Sequence, residues 1–368
     1  MTAEQLAQLQ WTVLVSAALV SFLFGLIMHR THFCTMGAIS DAVVMGHFER
    51  LRQWALALVV ATLGLGWMTF IGWVSPLQSV YATGDAYWLS AMVGGLLFGW
   101  GMVWSSGCGA KSLVRLGAGN YKSLVVVLVM GVVALSTLKG VLALPRVYIF
   151  DEARVSLSHG LFAGQWIADV FSFPLPVAML ASSVAASSLI LFWIVKDHHF
   201  LTFRNVLTGV LVGLVICAMW WISGVLGHGL EHPETLEEFF LATTSRKMEA
   251  ISLTAPVALG LDALMYFSDG TKRMTIGMVS VIGIALGAFV NAKLQGQFKW
   301  EGFSHVNDLR RHLLGAAMMG SGAVLAMGCS MGQGLSGLST LNVVSLLATL
   351  SIVGGAFAAL QWDMRHAG

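Results

Sequence analysis

The sequence predicts an all-α, polytopic membrane protein whose helices are interrupted at a central constriction, and three observations carry that prediction. Of the 368 residues, 57% are hydrophobic and only 10% are charged. A soluble domain carries roughly 25% charged residues, so a surface this poor in charge has to face lipid. The apolar residues also fall into runs of bilayer-spanning length, about 20 residues each. Finally, the chain holds 41 glycines and 13 tryptophans; Gly is frequent in membrane helices and Trp anchors at the interface.

The same composition removes several classes of function. A net charge of +2 gives no electrostatic footprint for nucleic acid. The four cysteines, Cys34, Cys108, Cys217 and Cys329, are too few and too scattered for a disulfide framework. No CxxC metal pair, CxxCH haem motif or GxxxxGK[ST] phosphate loop occurs. No cofactor and no metal are therefore expected. The N-terminus, "MTAEQLAQLQW", lacks the basic flank of a cleavable signal, so the first apolar run reads as a retained span.

In chain order, spans are expected at 11–28, 54–74, 122–144, 175–195, 204–226, 252–267, 275–291 and 341–361. Two shorter runs, 91–105 and 312–328, end in Gly-Cys and read either as full spans or as half-helices that stop inside the membrane. The residues after Cys34, "TMGAISDAVVMG", are equally ambiguous, so the total is eight to ten spans. With the N-terminus outside, segments 29–52, 106–122, 196–204 and 269–273 lie inside and hold ten of the twenty Lys and Arg. The acid-rich run 231–239 then lies opposite, and short basic loops set orientation where acids contribute little.

An internal repeat organises the chain. A shift of 221 positions places Gly94, Gly99, Gly101, Gly107 and Cys108 on Gly315, Gly320, Gly322, Gly328 and Cys329. One such match is ordinary small-residue helix packing. Five matches ending in Gly-Cys indicate duplicated halves, which we bound at 11–145 and 204–361. Duplicated halves with interrupted apolar segments in matching places mark a transporter with a site near the bilayer midplane.

The breaks carry the chemistry. The first N–H groups of a helix lack intrahelical partners, and the macrodipole adds partial positive charge there. A half-helix starting inside the membrane therefore suits an anion. Gly107, Gly109 and Gly328 are expected to permit the sharp turn and a close backbone approach. Cys217 lies mid-span in "GLVICAMWW" with no turn beside it and reads as packing. Cys34, Cys108 and Cys329 each end an apolar run beside Gly or a polar turn. A neutral thiol offers a weak S–H donor and a soft acceptor, which suits a sulfur-bearing anion. Lys111 and Arg115, four apart on one helical face, and Arg30 with His29 and His32 read either as an electropositive vestibule or as ordinary flanking charge. Asp262 reads as an acid within a span, hence functional, or as a helix end at the interface.

Together, "GLIMHRTHFCTMGAISD", "GMVWSSGCGAKSLVRLGAGN" and "AVLAMGCSMGQGLSGLSTLN" resemble the YeeE/YedE family of bacterial inner-membrane sulfur transporters, over about Gly25 to Gly355. The resemblance implies one transmembrane transport domain over 1–368, with an inverted repeat and an hourglass shape whose short helices meet at the constriction. It implies uptake of thiosulfate, handed between three cysteines by S–H hydrogen bonds to its sulfur; the matching positions are Cys34, Cys108 and Cys329. The partners it implies are a small sulfur anion, the lipid bilayer and a small cytosolic sulfur-carrier protein. The chain departs from many relatives at Lys111, where they carry a small polar residue, and the family extends to other sulfur and selenium species. A different class, a membrane sulfurtransferase handling a persulfide, would need a cysteine nucleophile and a nearby base, with His29 and His32 the candidates.

Overall fold

The computed structural model describes residues 3–197, 199–231, 236–269 and 273–366. Seven of the expected apolar runs are helices: α1 (Ala3–Thr31), α3 (Glu49–Phe70), α6 (Tyr121–Lys139), α9 (Leu175–Val195), α10 (Phe203–Trp221), α12 (Ile276–Leu294) and α14 (Val343–His366). Both shorter runs are full helices too, α4 (Trp88–Trp104) and α13 (Val306–Leu325). Among the described residues, eight helical segments are long and apolar enough to cross a membrane. The chain is thus an all-α polytopic membrane protein. Lipid-facing surface is plain on α1, α9 and α14, where Leu19, Leu23, Leu189, Phe192, Leu350 and Phe357 point outward.

One expected span is corrected. The 252–267 run holds α11 (Thr254–Met265), only 12 residues long. At 1.5 Å per residue that is about 18 Å, too short to cross about 30 Å of hydrocarbon. Asp262 lies toward its far end, where its carboxylate meets Lys139 Nζ at 3.1 Å, at the close of α6. It marks a helix end and not a charge stranded mid-span.

The short elements are α2 (Thr35–Ser40), which runs on as a π-helical turn over Asp41–Met45, α5 (Gly109–Gly117) and a π-helical turn at Gly332–Gly337. Outside the bundle lie one turn, α7 (Ala143–Pro145), the helix α8 (Ala163–Phe171) and a small antiparallel ribbon, β1 (His228–Gly229) with β2 (Phe239–Phe240).

Glycine lets the long helices touch backbone to backbone, as membrane helices without a hydrophobic driving force between them require. A Cβ on Gly25 would sit 2.1 Å from Ile284 O and one on Gly287 2.0 Å from Phe22 O, so α1 and α12 run parallel in contact. Gly99 against Ile352 and Gly355 against Leu96 set α4 parallel to α14. Gly101 against Gly315 and Gly94 against Gly322 set α4 antiparallel to α13. Gly209 and Gly213 bring α10 onto α3 near Leu56 and Ala57, again in parallel. A Cβ at Gly99 would lie 2.1 Å from Ile352 O, whereas one at Gly354 would meet nothing closer than Leu96 Cδ2 at 3.8 Å. We therefore expect Gly99→Ala to destabilise the folded protein by about 1–3 kcal/mol, as overpacking does. Gly354→Ala should leave it nearly unchanged. Thermal unfolding of the detergent-solubilised variants checks this, and equal midpoints would show that α4 and α14 are not in backbone contact.

Following these directions, α1, α3, α4, α6, α9, α10, α12, α13 and α14 run alternately between two faces, so Ala3 and His366 lie on opposite ones. The face where α1 ends gathers Arg50, Arg52, Lys122, Lys196, Arg204 and Arg311. Because α11 turns back, Arg273 lies on the other face, which corrects the expected placement of 269–273. Residues 270–272, and 232–235 of the acid-rich run, lie outside the described residues.

Candidate functional site

The three turn cysteines share one local geometry. Each stands two residues after a non-glycine residue in the left-handed region: His32 at φ 55°, Ser106 at 57° and Met327 at 55°. Such a φ costs about 1–3 kcal/mol at a non-glycine residue and persists only where the surroundings hold it. Each cysteine then opens a new helical turn. Ala38 N donates to Cys34 O at 3.0 Å, Ser112 N to Cys108 O at 2.9 Å and Gln333 N to Cys329 O at 2.8 Å. Cys34 and Cys108 are the N-caps of α2 and α5.

The glycines beside them act differently from the sequence reading. Neither Gly107 nor Gly328 has a left-handed φ. What they supply is close approach: a Cβ on Gly107 would sit 3.2 Å from Lys111 Cγ, and one on Gly328 3.1 Å from Gln333 Cγ. Gly109 is less constrained, since its Cβ would meet Met130 at an ordinary 3.6 Å.

Folding brings two of the thiols together. Cys34 Sγ and Cys108 Sγ lie 4.0 Å apart, both buried, although 74 positions separate them. Ser330, the residue after Cys329, stands against the Cys108 thiol. Cys329 is itself buried, and its sulfur receives the Gly332 N–H at 3.5 Å. Cys217 is elsewhere, packed on α3 with Sγ 3.5 Å from Val60 O.

Other elements reach the same point. A Cβ on Gly332 would touch Ser252 Oγ at 3.0 Å, and Thr254, which opens α11, borders Gly109. Four short helical segments, after Cys34, Cys108 and Cys329 and at Thr254, thus begin in one neighbourhood. Tyr81 closes it from the face where α1 begins, its hydroxyl donating to Gly332 O at 2.5 Å and its ring meeting Trp220 edge-on at 6.2 Å.

On the opposite face the charge is positive. Lys111 is near enough to Cys34 and Cys108 to act on both thiols, and near His29, His32 and Arg50. His29 is buried, its Nδ1 2.8 Å from Asn291 Nδ2, so it faces the amide and not a thiol. Arg50 pairs with Asp41 at 3.3 Å and lies beside Gly37 of α2. Arg115 holds the turn itself, with Nη1 donating to Ser106 O at 2.8 Å. Arg30 is exposed. Sequence reasoning missed Tyr81, Arg50, Asn291 and Ser252. None lies in a repeated or broken motif, and only the topology brings them here.

A family model described as sulphur transport matches residues 30–358. Two curated relatives are similar over nearly their whole lengths. The thiosulfate transporter TsuA of Escherichia coli (strain K12) is 25% identical across 88% of this chain and 87% of its own. The protein of the same name from Spirochaeta thermophila is 25% identical across 96% of this chain and 97% of its own.

Proposed function

The chain belongs to the sulphur transport family, and on that premise we propose that it carries thiosulfate, or a closely related sulfur anion, across the bacterial inner membrane. The path runs past Cys329, Cys108 and Cys34 and then Lys111. The observation that carries this reading is the pair of buried thiols, 4.0 Å apart, at the N-caps of two short helices. Unpartnered first-turn N–H groups give such helix starts partial positive charge without a buried ion. Thiols add a soft, weakly donating surface for a terminal sulfur. Gly107, Gly109 and Gly328 let backbone and side chains close around the ion, and Arg115 keeps the turn before Cys108 in place.

Direction follows from charge. The basic face, where α1 ends, is the cytosolic one by the positive-inside rule, with the N-terminus outside. Lys111, Arg50 and the two histidines then draw the anion inward from the thiols. A small cytosolic sulfur carrier would meet the exit near a polar cavity of about 400 Å³ bordered by Arg115, Lys122, Lys299 and His312.

The repeat halves 11–145 and 204–361 belong to the same proposal. Exchanging α1 with α10, α3 with α12, α4 with α13 and α6 with α14 turns the main packing pairs among these eight helices into one another, with α4–α13 mapping onto itself. The pair α1–α12 becomes α10–α3, and α4–α14 becomes α13–α6. Because α4 and α13 run antiparallel, this exchange inverts one half relative to the other, as in transporters built around a midplane site.

The test is uptake of labelled thiosulfate by proteoliposomes. Accumulation above protein-free vesicles is expected, and its absence across a range of imposed ion gradients would overturn the reading.

A further inference from the structure

All four cysteines are free, and Cys34 and Cys108 are the two whose sulfurs meet, 4.0 Å apart. A disulfide bond is about 2.05 Å long, so the pair closes if each sulfur moves about 1 Å. Each cysteine sits in a short link between two helices, residues 32–34 and 105–108, where the backbone can give a little without breaking either helix. The other two sulfurs are engaged elsewhere, Cys217 with Val60 O and Cys329 with the Gly332 N–H, each at 3.5 Å.

The surroundings select what can react with the pair. Cys34 is 6% exposed and Cys108 0%, so a bulky oxidant is shut out. Lys111 acts on both sulfurs, so a small anion is drawn in and negative charge on an attacking sulfur is offset. Tetrathionate meets these demands. It is the oxidised dimer of thiosulfate, a slim dianion joined sulfur to sulfur, and its inner sulfurs are soft electrophiles open to thiol–disulfide exchange.

We infer that Cys34 and Cys108 are a dithiol–disulfide pair that reduces tetrathionate entering by the anion path, and that the disulfide so formed shuts the path. One thiol gives up its proton, and its sulfur attacks an inner sulfur of tetrathionate. The central S–S bond breaks, one thiosulfate leaves with the bonding electrons, and a Cys–S–S–sulfonate adduct remains. The second thiol gives up its proton and attacks the cysteine sulfur of that adduct. The Cys34–Cys108 bond forms and the second thiosulfate leaves. Two thiols are oxidised, tetrathionate is reduced to two thiosulfates, and two protons pass to water. The disulfide removes both S–H donors and ties the start of α2 to that of α5. Uptake therefore stops where the oxidised form of the substrate accumulates, and a dithiol reductant reopens it. The route in rests on the transport reading above; the exchange between the thiols and tetrathionate does not.

The test treats the full chain in proteoliposomes with tetrathionate or with a bulky aromatic disulfide. Samples are then denatured, alkylated and mapped by mass spectrometry, and thiosulfate uptake is measured before and after a dithiol reductant. Tetrathionate should link Cys34 to Cys108, release two thiosulfates per linked pair and leave Cys217 alkylated. Uptake should fall in proportion to the linked fraction and return on reduction, and the bulky disulfide should give no link. In Cys34→Ala, which lacks the resolving thiol, the adduct should stay on Cys108. Thiols that remain alkylatable after tetrathionate would overturn the inference. So would a link to Cys329 or Cys217 instead, equal linking by the bulky reagent, or a linked pair with unchanged uptake. A protein that links the pair reversibly but takes up no thiosulfate even when reduced would overturn the transport reading and uphold the exchange.

Discussion

Cys108→Ala is expected to cut thiosulfate uptake about ten- to a hundredfold while the protein still folds. The Cys108 thiol is fully buried, 4.0 Å from Cys34 Sγ, at the point where α5 begins. Inside a dry constriction the anion sheds water and needs every remaining donor. A hydrogen bond to a charged group is worth roughly 1.5–3 kcal/mol, which sets the size of the loss if the bond forms mainly in the limiting step. Cys34→Ala and Cys329→Ala should behave alike, because those residues open their turns in the same way. Cys217→Ala supplies the contrast: its sulfur packs on α3 near Val60 O, so uptake should stay near that of the parent. Uptake by labelled vesicles, normalised to folded protein, decides the matter. Parent-like transport by Cys108→Ala would make these thiols packing residues.

Lys111→Met should lower uptake by a similar factor at low substrate concentration. Lys111 is the cation closest in sequence to the paired thiols and acts on both of them. It stands where a dianion leaving the thiols would gain most from a positive charge in a medium of low dielectric. Because the group is largely shielded, its loss should not be mimicked by salt, whose screening acts mainly on exposed charges. Arg115→Met should act through the turn, since Arg115 caps Ser106 O. Its expected signature is a lower melting temperature with a smaller loss of affinity. A Lys111→Met protein with unchanged uptake across substrate concentrations would remove Lys111 from the path.

Much of the fold was legible because hydropathy needs only local sequence. The runs 175–195 and 204–226 coincide closely with α9 (Leu175–Val195) and with α10 (Phe203–Trp221) and its continuation. α13 was harder, because its first turns carry Asp308, Arg310 and Arg311, which hide the start of an apolar helix. α11 misled in the other direction: its residues are apolar enough for a span, but the chain turns back after 12 of them. The breaks at Cys108 and Cys329 showed through their repeated Gly-Cys pairs. The left-handed residues did not, because His32, Ser106 and Met327 are not glycines and their φ is imposed by the surrounding bundle. Likewise nothing local marks Tyr81, Trp54 or Thr254. They come to Gly332, Gly334 and Gly109 only because helices from both ends of the chain pack together.

The measurement that bears most directly on the thiol path is uptake of labelled thiosulfate in the presence of excess sulfate, for the parent and for Cys108→Ser. Backbone dipoles and Lys111 attract any small dianion, so they cannot separate the two ions. A terminal sulfur is larger, softer and less tightly hydrated than an oxygen, and the thiols ask a smaller desolvation cost of it. In the parent, excess sulfate should compete weakly. Cys108→Ser keeps a donor but makes the constriction smaller and more polar, so it should transport thiosulfate poorly and let sulfate compete better. Equal competition by sulfate in the parent would contradict a sulfur-selective path and leave the repeated Gly-Cys turns as parts of a general anion route.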